Sequence, residues 1–246
     1  MRHTPIIVYQ MGKVGSSTIF RNLESQLQQP VFHVHHLARQ RAEIIISRTG
    51  NRQKSEDKLN KLKKIRRVIA ERTRAGEPLK IITATRDPIA RNVSAYFQNV
   101  GPNFCSDLGW LEEDFISNYP HSVPLRWFDV ELKSVTGIDV FDEEFPIDQG
   151  WQVLREGGFQ VLILRQENLA KTIKSGVIQE FVGARDIDLT ESFNRSNAKE
   201  YSKRYAEFKE EVRLPKDLLD SLLVSKYAEH FYSKAEIATF KRKWLR

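Results

Sequence analysis

One cysteine among 246 residues, Cys105, leaves nothing for an internal disulfide framework and fits a reducing compartment. It also has no evident partner for thiol catalysis. No apolar run approaches the length of a membrane span, and residues 5–10 already read as a strand, so no signal peptide is expected ahead of the fold and the expected location is cytoplasmic. The G-x-S-x-G elbow of the serine hydrolases is missing. His33, His35 and His36 lie close together, but no cysteine or histidine elsewhere completes a ligand set, so no metal is expected. Internal repeats and low-complexity linkers are also lacking, which leaves one domain over residues 1–246 as the expected organisation.

The chain does have core material, with 40% hydrophobic residues, 14 Phe, 7 Tyr and 4 Trp. Its net charge of +7 and pI near 9.4 point to anionic ligands without choosing among them. Much of the excess lies in Lys54–Arg74, where Leu59, Leu62, Ile65 and Ile69 form an apolar stripe and lysines and arginines fill the other faces. This reads first as a solvated amphipathic helix, capped by Ser55 and stopped at Gly76, and alternatively as a polyanion-binding surface.

The most informative segment is PIIVYQMGKVGSSTIF, residues 5–20. Pro5–Gln10 is a β-branched and aromatic run, and Ile19, Leu23 and Leu27 recur at helical spacing. Between them, Gly12, Lys13, Val14, Gly15, Ser16, Ser17 and Thr18 combine glycines that let backbone amides approach an anion, a full positive charge, and three hydroxyls at a helix N-terminus. The order is not G-x-x-x-x-G-K-[ST], because Lys13 precedes the second glycine.

A second junction follows about 70 residues later. Leu79–Thr85 reads as a buried strand, and Asp87-Pro88 is a helix start, an N-cap carboxylate and then proline at the first helical position. Arg86 therefore sits at the carboxyl end of a strand, where open α/β sheets bind ligands, with Arg91 and Ser94 in the helix beyond.

The two strings, GKVGSST and RDPIARNVSAYF, resemble the 5′-phosphosulfate loop P-K-x-G-[ST]-[ST] and the signature R-[DN]-P-x-x-R-x-x-S-x-[YF] of the sulfotransferase superfamily. Gly12 stands where that family most often has proline. The resemblance implies an α/β, P-loop-like three-layer fold: a central, mostly parallel sheet with helices on both faces and a helical C-terminal part. It implies 3′-phosphoadenosine 5′-phosphosulfate as sulfuryl donor, held by residues 12–18 and, at its 3′-phosphate, by Arg86, Ser94 and the matching Arg91. More weakly, Phe159–Leu164 resembles a later strand of the family, followed by a helix ending at Phe181-Val182-Gly183. The polar loop containing Arg195, Asn197 and Lys199 falls where the family commonly closes over the nucleotide. MGKVGSSTI, VFHVHHL and WFDVELKSVTGIDVF also resemble bacterial proteins grouped under capsular polysaccharide synthesis, which implies a carbohydrate acceptor.

Residues 101–150 interrupt the α/β rhythm and read as a helical, acceptor-side insertion, with one helix near Trp110–Ile116 and another from Pro124 to Gly137. Within it, Trp127 could stack on a sugar ring but more readily joins the core. For sulfuryl transfer, Lys13 suits the charge that grows on the leaving phosphate, and a base must take the acceptor's proton. Val31–Leu37 reads as the second strand, with His33 and His35 on one face. His35 is the first candidate base, His33 the second, and Glu131 the reserve. A P-loop-like nucleotide kinase and a non-catalytic polyanion-binding protein remain as alternatives. No specific nucleic-acid partner is expected.

Overall fold

The computed structural model describes residues 4–38, 52–191 and 200–245. Strand β1 (Ile6–Tyr9) leads through the glycine loop to α1 (Ser16–Gln26), then β2 (Val31–Val34), the long α2 (Arg52–Arg74), β3 (Leu79–Thr85) and α3 (Pro88–Asn99). Helices Leu108–Asn118 and Val123–Trp127 follow. The second continues through a π-helical stretch, Phe128–Lys133, to Thr136 and ends at Gly137, whose φ of 82° only glycine adopts easily. Strands β4 (Trp151–Glu156) and β5 (Phe159–Arg165) complete the sheet, and the regular elements described beyond β5 are helices.

The five strands run in the order β2-β1-β3-β5-β4. β1 pairs with β2 and β3, and β3 with β5, all parallel, while β4 lies antiparallel on β5 at the edge. Every residue of β1 is buried, as are Leu79, Ile81–Thr85 and all of β5 except Gln160, with no in–out alternation. Such strands need cover on both faces, and helices supply it. One apolar cluster joins the sheet to α1 and α2 through Ile19, Leu23, Leu62 and Ile65. A second joins Ile89, Val93, Tyr96 and Phe97 of α3 to Phe115 and to the C-terminal helices through Phe208, Leu222 and Trp244.

Several sequence expectations need correction. Helix α2 starts at Arg52, so Ser55 lies inside it and does not cap it. Strand β2 stops at Val34, so His35 is already in the following turn. Trp127 is 2% exposed, meets Tyr9 edge-on and donates to the His35 carbonyl at 3.1 Å, so it is core and offers no face to a sugar. The expected strand at Phe159–Leu164 is present as β5, but it is one arm of an antiparallel hairpin whose other arm, β4, the sequence reading lacks; the hairpin turns through Gly157 and Gly158, both at positive φ. No helix among the described residues is long and apolar enough to cross a membrane.

Candidate functional site

Because β2 and β3 flank β1 on opposite sides, the direction of winding reverses beside β1, and a crevice opens at the carboxyl ends of these three strands. A cavity of about 860 Å³ lies there. Gly12, Lys13, Gly15, Ser16, Ser17 and Thr18 line it from the β1 loop; Arg86, Arg91 and Ser94 line it from the β3 side; His33, His35 and His36 line it from β2. Val14 does not, since its side chain is wholly buried in the core. Arg195, Asn197 and Lys199 lie outside the described residues.

The loop is held in an unusual backbone path. Gly12 and Gly15 have φ of 84° and 81°, and Lys13 between them has 66°, the only positive φ at a non-glycine residue among those described. Proline, with φ fixed near −65°, cannot take the path of Gly12. A Cβ on Gly12 would meet nothing within 4 Å, whereas one on Gly15 would press on Gln166 and Leu169 at 3.3 and 3.4 Å. No side chain caps the N-terminus of α1, so its first turn has no competitor of that kind for an incoming anion.

Two arginines brace this loop from behind. Arg91 is buried; its Nη2 donates to the Met11 carbonyl at 2.9 Å, Nε to that of Gly12 at 3.3 Å, and Nη1 to Asn92 Oδ1 and the Tyr119 hydroxyl at 3.0 and 3.1 Å. Arg86 Nη1 donates to the Lys13 carbonyl at 3.0 Å. Three consecutive loop carbonyls are thus tied to the end of β3 and the start of α3. The junction is itself pinned: the Tyr227 hydroxyl donates to the Arg86 carbonyl at 2.8 Å and accepts from its amide at 3.1 Å. Asp87 caps α3 by accepting from the Ile89 amide at 2.9 Å, and Glu167 accepts from the Asp87 amide at 2.7 Å. Burial, aided by the Glu167 charge, pushes the Asp87 carboxyl up to about 6.

Gln10 organises the histidine side, a role not visible in the sequence. It is 1% exposed; its Oε1 accepts from the Gly12 amide, and its Nε2 lies 3.1 Å from His33 Nε2 and 2.9 Å from His35 Nδ1. His35 Nδ1 is also 3.0 Å from the Gln10 carbonyl, and Ser16 Oγ is 3.3 Å from His33 Nε2. His33 therefore touches the Gly12–Thr18 loop at Ser16, whereas His35 is joined to it through Gln10. Burial, with the neighbouring positive charges of Lys61 and Arg21, lowers His33 to about 3. Desolvation of its ring, with the charges of His36, Arg91 and Lys61, lowers His35 to about 4, although the residue as a whole is exposed. Both imidazoles are neutral at pH 7.

Glu131, the reserve base, is not on the cavity wall. It is 1% exposed and its carboxylate is consumed by the fold, accepting from the Tyr9 hydroxyl at 2.6 Å and the Leu37 and Ala38 amides at 3.0 and 3.1 Å, with His36 Nδ1 at 3.1 Å. No described residue of the 101–150 segment lines the cavity, and its large apolar side chains, including Phe115, Phe128 and Leu132, lie in the two cores. Tyr201 and Tyr205 do line the cavity, from the C-terminal region. Their four-residue spacing on one helical face was the available sign.

The family described as "Putative capsular polysaccharide synthesis protein" matches residues 102–233, just over half of the chain. The chain belongs to this family. The matched segment contains Gln166, Tyr201 and Tyr205 of the cavity wall, and Tyr119, Glu167 and Tyr227, which contact Arg91, Asp87 and Arg86, but neither the Gly12–Thr18 loop nor the Arg86–Ser94 junction. No curated protein and no solved structure matches the chain.

Proposed function

We propose that this member of the capsular polysaccharide synthesis family is a sulfotransferase with a P-loop-like fold, a single catalytic domain that modifies a hydroxyl or amine of a capsular or exopolysaccharide carbohydrate. One observation carries the reading. The two strings that resemble sulfotransferase phosphate motifs, far apart in sequence, border one cavity at the winding reversal of the sheet, with two neutral histidines beside them.

The residues present suit 3′-phosphoadenosine 5′-phosphosulfate, which would supply the sulfuryl group. The uncapped N-terminus of α1, Lys13 and the Ser16–Thr18 hydroxyls offer donors and charge for the 5′ end, and the open space beside Gly12 lets an anion approach the backbone closely. Arg86 and Ser94 offer donors for the 3′-phosphate across the loop. Arg91, whose donors already serve loop carbonyls, positions the loop. With the donor bound, Lys13 would lie beside its 5′-phosphate and offset the negative charge left there by sulfuryl transfer. His35 takes the proton from the acceptor hydroxyl as the new oxygen–sulfur bond forms. In the tautomer that carries its proton on Nδ1, facing the Gln10 carbonyl at 3.0 Å, the Nε2 lone pair is open for that proton.

Calorimetry without magnesium tests the donor. Because 3′,5′-adenosine bisphosphate can use Arg86 and Ser94, it should bind more than tenfold tighter than 5′-AMP, a charge-assisted contact being worth about 1.5–3 kcal/mol. Equal affinities, or a preference for ATP with magnesium, would reject the proposal.

A further inference from the structure

Lys58 and Lys61 stand on the wall of the same cavity, three residues apart on α2 and hence on one flank of that helix. In the sequence they read as part of a solvated face. Contacts place them at the β2 end: Lys61 Nζ lies 5.9 Å above the Phe20 ring, Phe20 stacks on His33 at 5.0 Å, and one turn further Lys64 Nζ lies 5.7 Å above Phe32 of β2. Arg86 and Ser94 belong to the β3 side, and β1 separates the two, so the ends of the cavity are two strand spacings, about 10 Å, apart.

The charge on the wall is one-sided. Lys13, Lys58, Lys61, Arg86 and Arg91 line the cavity, and among the described residues no aspartate or glutamate does. Arg91 is engaged with the loop, and Lys13 and Arg86 stand where the donor's phosphates would lie. Lys58 and Lys61 are left over, at the far end, beside the histidines. Neither makes an ion pair among the described residues, and Arg21 adds its charge near His33. Two unneutralised cations facing into a cleft repel each other and gain from an anionic occupant.

We infer that the acceptor is an acidic saccharide, whose negatively charged group is held by Lys58 and Lys61 while its reacting hydroxyl faces His35. This rests on the donor reading above, since that reading fills the β3 side and leaves the β2 side to the acceptor. A carboxylate and a phosphate on the sugar share the required chemistry, and the probes below distinguish them.

Calorimetric titration of the whole chain, with and without saturating 3′,5′-adenosine bisphosphate, uses three probes: a glucuronate-containing disaccharide, its carboxyl-reduced neutral counterpart, and a hexose 6-phosphate. At least one anionic probe should bind tenfold or more tighter than the neutral one, with the advantage shrinking as salt is raised. The stronger of the two identifies carboxylate or phosphate. In the Lys58→Gln/Lys61→Gln double variant the advantage should disappear while the affinity for 3′,5′-adenosine bisphosphate stays within twofold. Both side chains are exposed, and Lys61→Gln alone should remove part of the effect if the double variant folds poorly. Equal binding of acidic and neutral probes, no saccharide binding at all, or an advantage that survives in the double variant overturns the inference. A large loss of nucleotide affinity in that variant also overturns it, because the lysines would then belong to the donor. Absence of nucleotide binding by the parent, with the anionic preference intact, would instead discard the donor reading and leave the acidic-ligand site standing.

Discussion

Arg91 Nη2 donates to the carbonyl of Met11 at 2.9 Å, tying the first turn of α3 to the first residues past strand β1. With the Nε contact to Gly12, this makes Arg91 a buried brace for a loop whose own backbone is strained. Arg91→Met should therefore cost stability. Losing charge-assisted bonds to buried carbonyls amounts to about 2–4 kcal/mol, or roughly 4–16 °C in Tm for a chain of this size. It should weaken 5′-AMP and 3′,5′-adenosine bisphosphate together, because the loop itself loosens, whereas Arg86→Ala should chiefly weaken the bisphosphate. An unchanged Tm with loss confined to the bisphosphate would make Arg91 a direct phosphate ligand.

Lys13 occupies a left-handed conformation that costs an ordinary side chain roughly 1–2 kcal/mol, and such strain gathers at functional positions. Asparagine tolerates this conformation better. Lys13→Asn is expected to keep the parental Tm or raise it slightly while turnover falls about 10²–10³-fold, the range for a lost charge-stabilising group. Nucleotide affinity should change much less, since the contact strengthens as the leaving charge develops. Parental turnover in this variant would remove Lys13 from the chemistry.

Elements built from adjacent residues were legible in the sequence. The β1–loop–α1 unit, the Asp87–Pro88 helix start, strand β5 and the glycine stops at Gly137 and Gly183 each carry their signal within a few residues. Strand β4 was missed although Gly157-Gly158 separates two apolar runs, because an edge strand with exposed Arg155 and Glu156 lacks the continuous burial of its neighbours. What the sequence could not show is convergence. Gln10 meets His33 and His35 only once β2 lies beside β1, and Glu131 meets Tyr9 across 122 residues of chain. Lys58 and Lys61 look the same as their solvated neighbours until α2 is docked on the sheet.

The Glu131 carboxylate makes a stability prediction with a definite sign. Burial opposes its ionisation, but hydrogen bonds from His36, Tyr9, Ala38 and Leu37 outweigh that and hold it below its ordinary 4.5. A group with a depressed folded pKa contributes stability that is fully present above 4.5 and is lost as pH falls through the lower folded value. Glu131→Gln places an amide N–H₂ among groups that are themselves donors, at a cost of about 3 kcal/mol or more near pH 7. Denaturant titrations from pH 7 down to roughly pH 3.5 should show the gap between parent and variant narrowing on acidification, as the parent's advantage is titrated away. A gap independent of pH would mean that the carboxylate is not ionised in the folded protein.

The histidines give the last prediction. With His33 lowered to about 3 and His35 to about 4, both are unprotonated at pH 7 and can accept a proton without first losing one. A base must be neutral to act, so activity should be lost as pH falls through the folded pKa of His35, and the acid limb should lie below the ordinary histidine value of 6.5. Desolvation sets the direction of the shift and the exposure of the residue limits its size, so the limb belongs between 4 and 6.5. His35→Ala should reduce turnover by about 10²–10⁴-fold and abolish that limb, with 3′,5′-adenosine bisphosphate affinity nearly unchanged. Gln10→Leu should act on the same step from one residue away. It removes the amide that both imidazoles contact, so turnover should drop by more than stability accounts for, and the acid limb should shift without vanishing. If His35→Ala keeps full activity while His33→Ala does not, the proton goes to His33, the ring beside Ser16. If both variants turn over like the parent, neither histidine is the base.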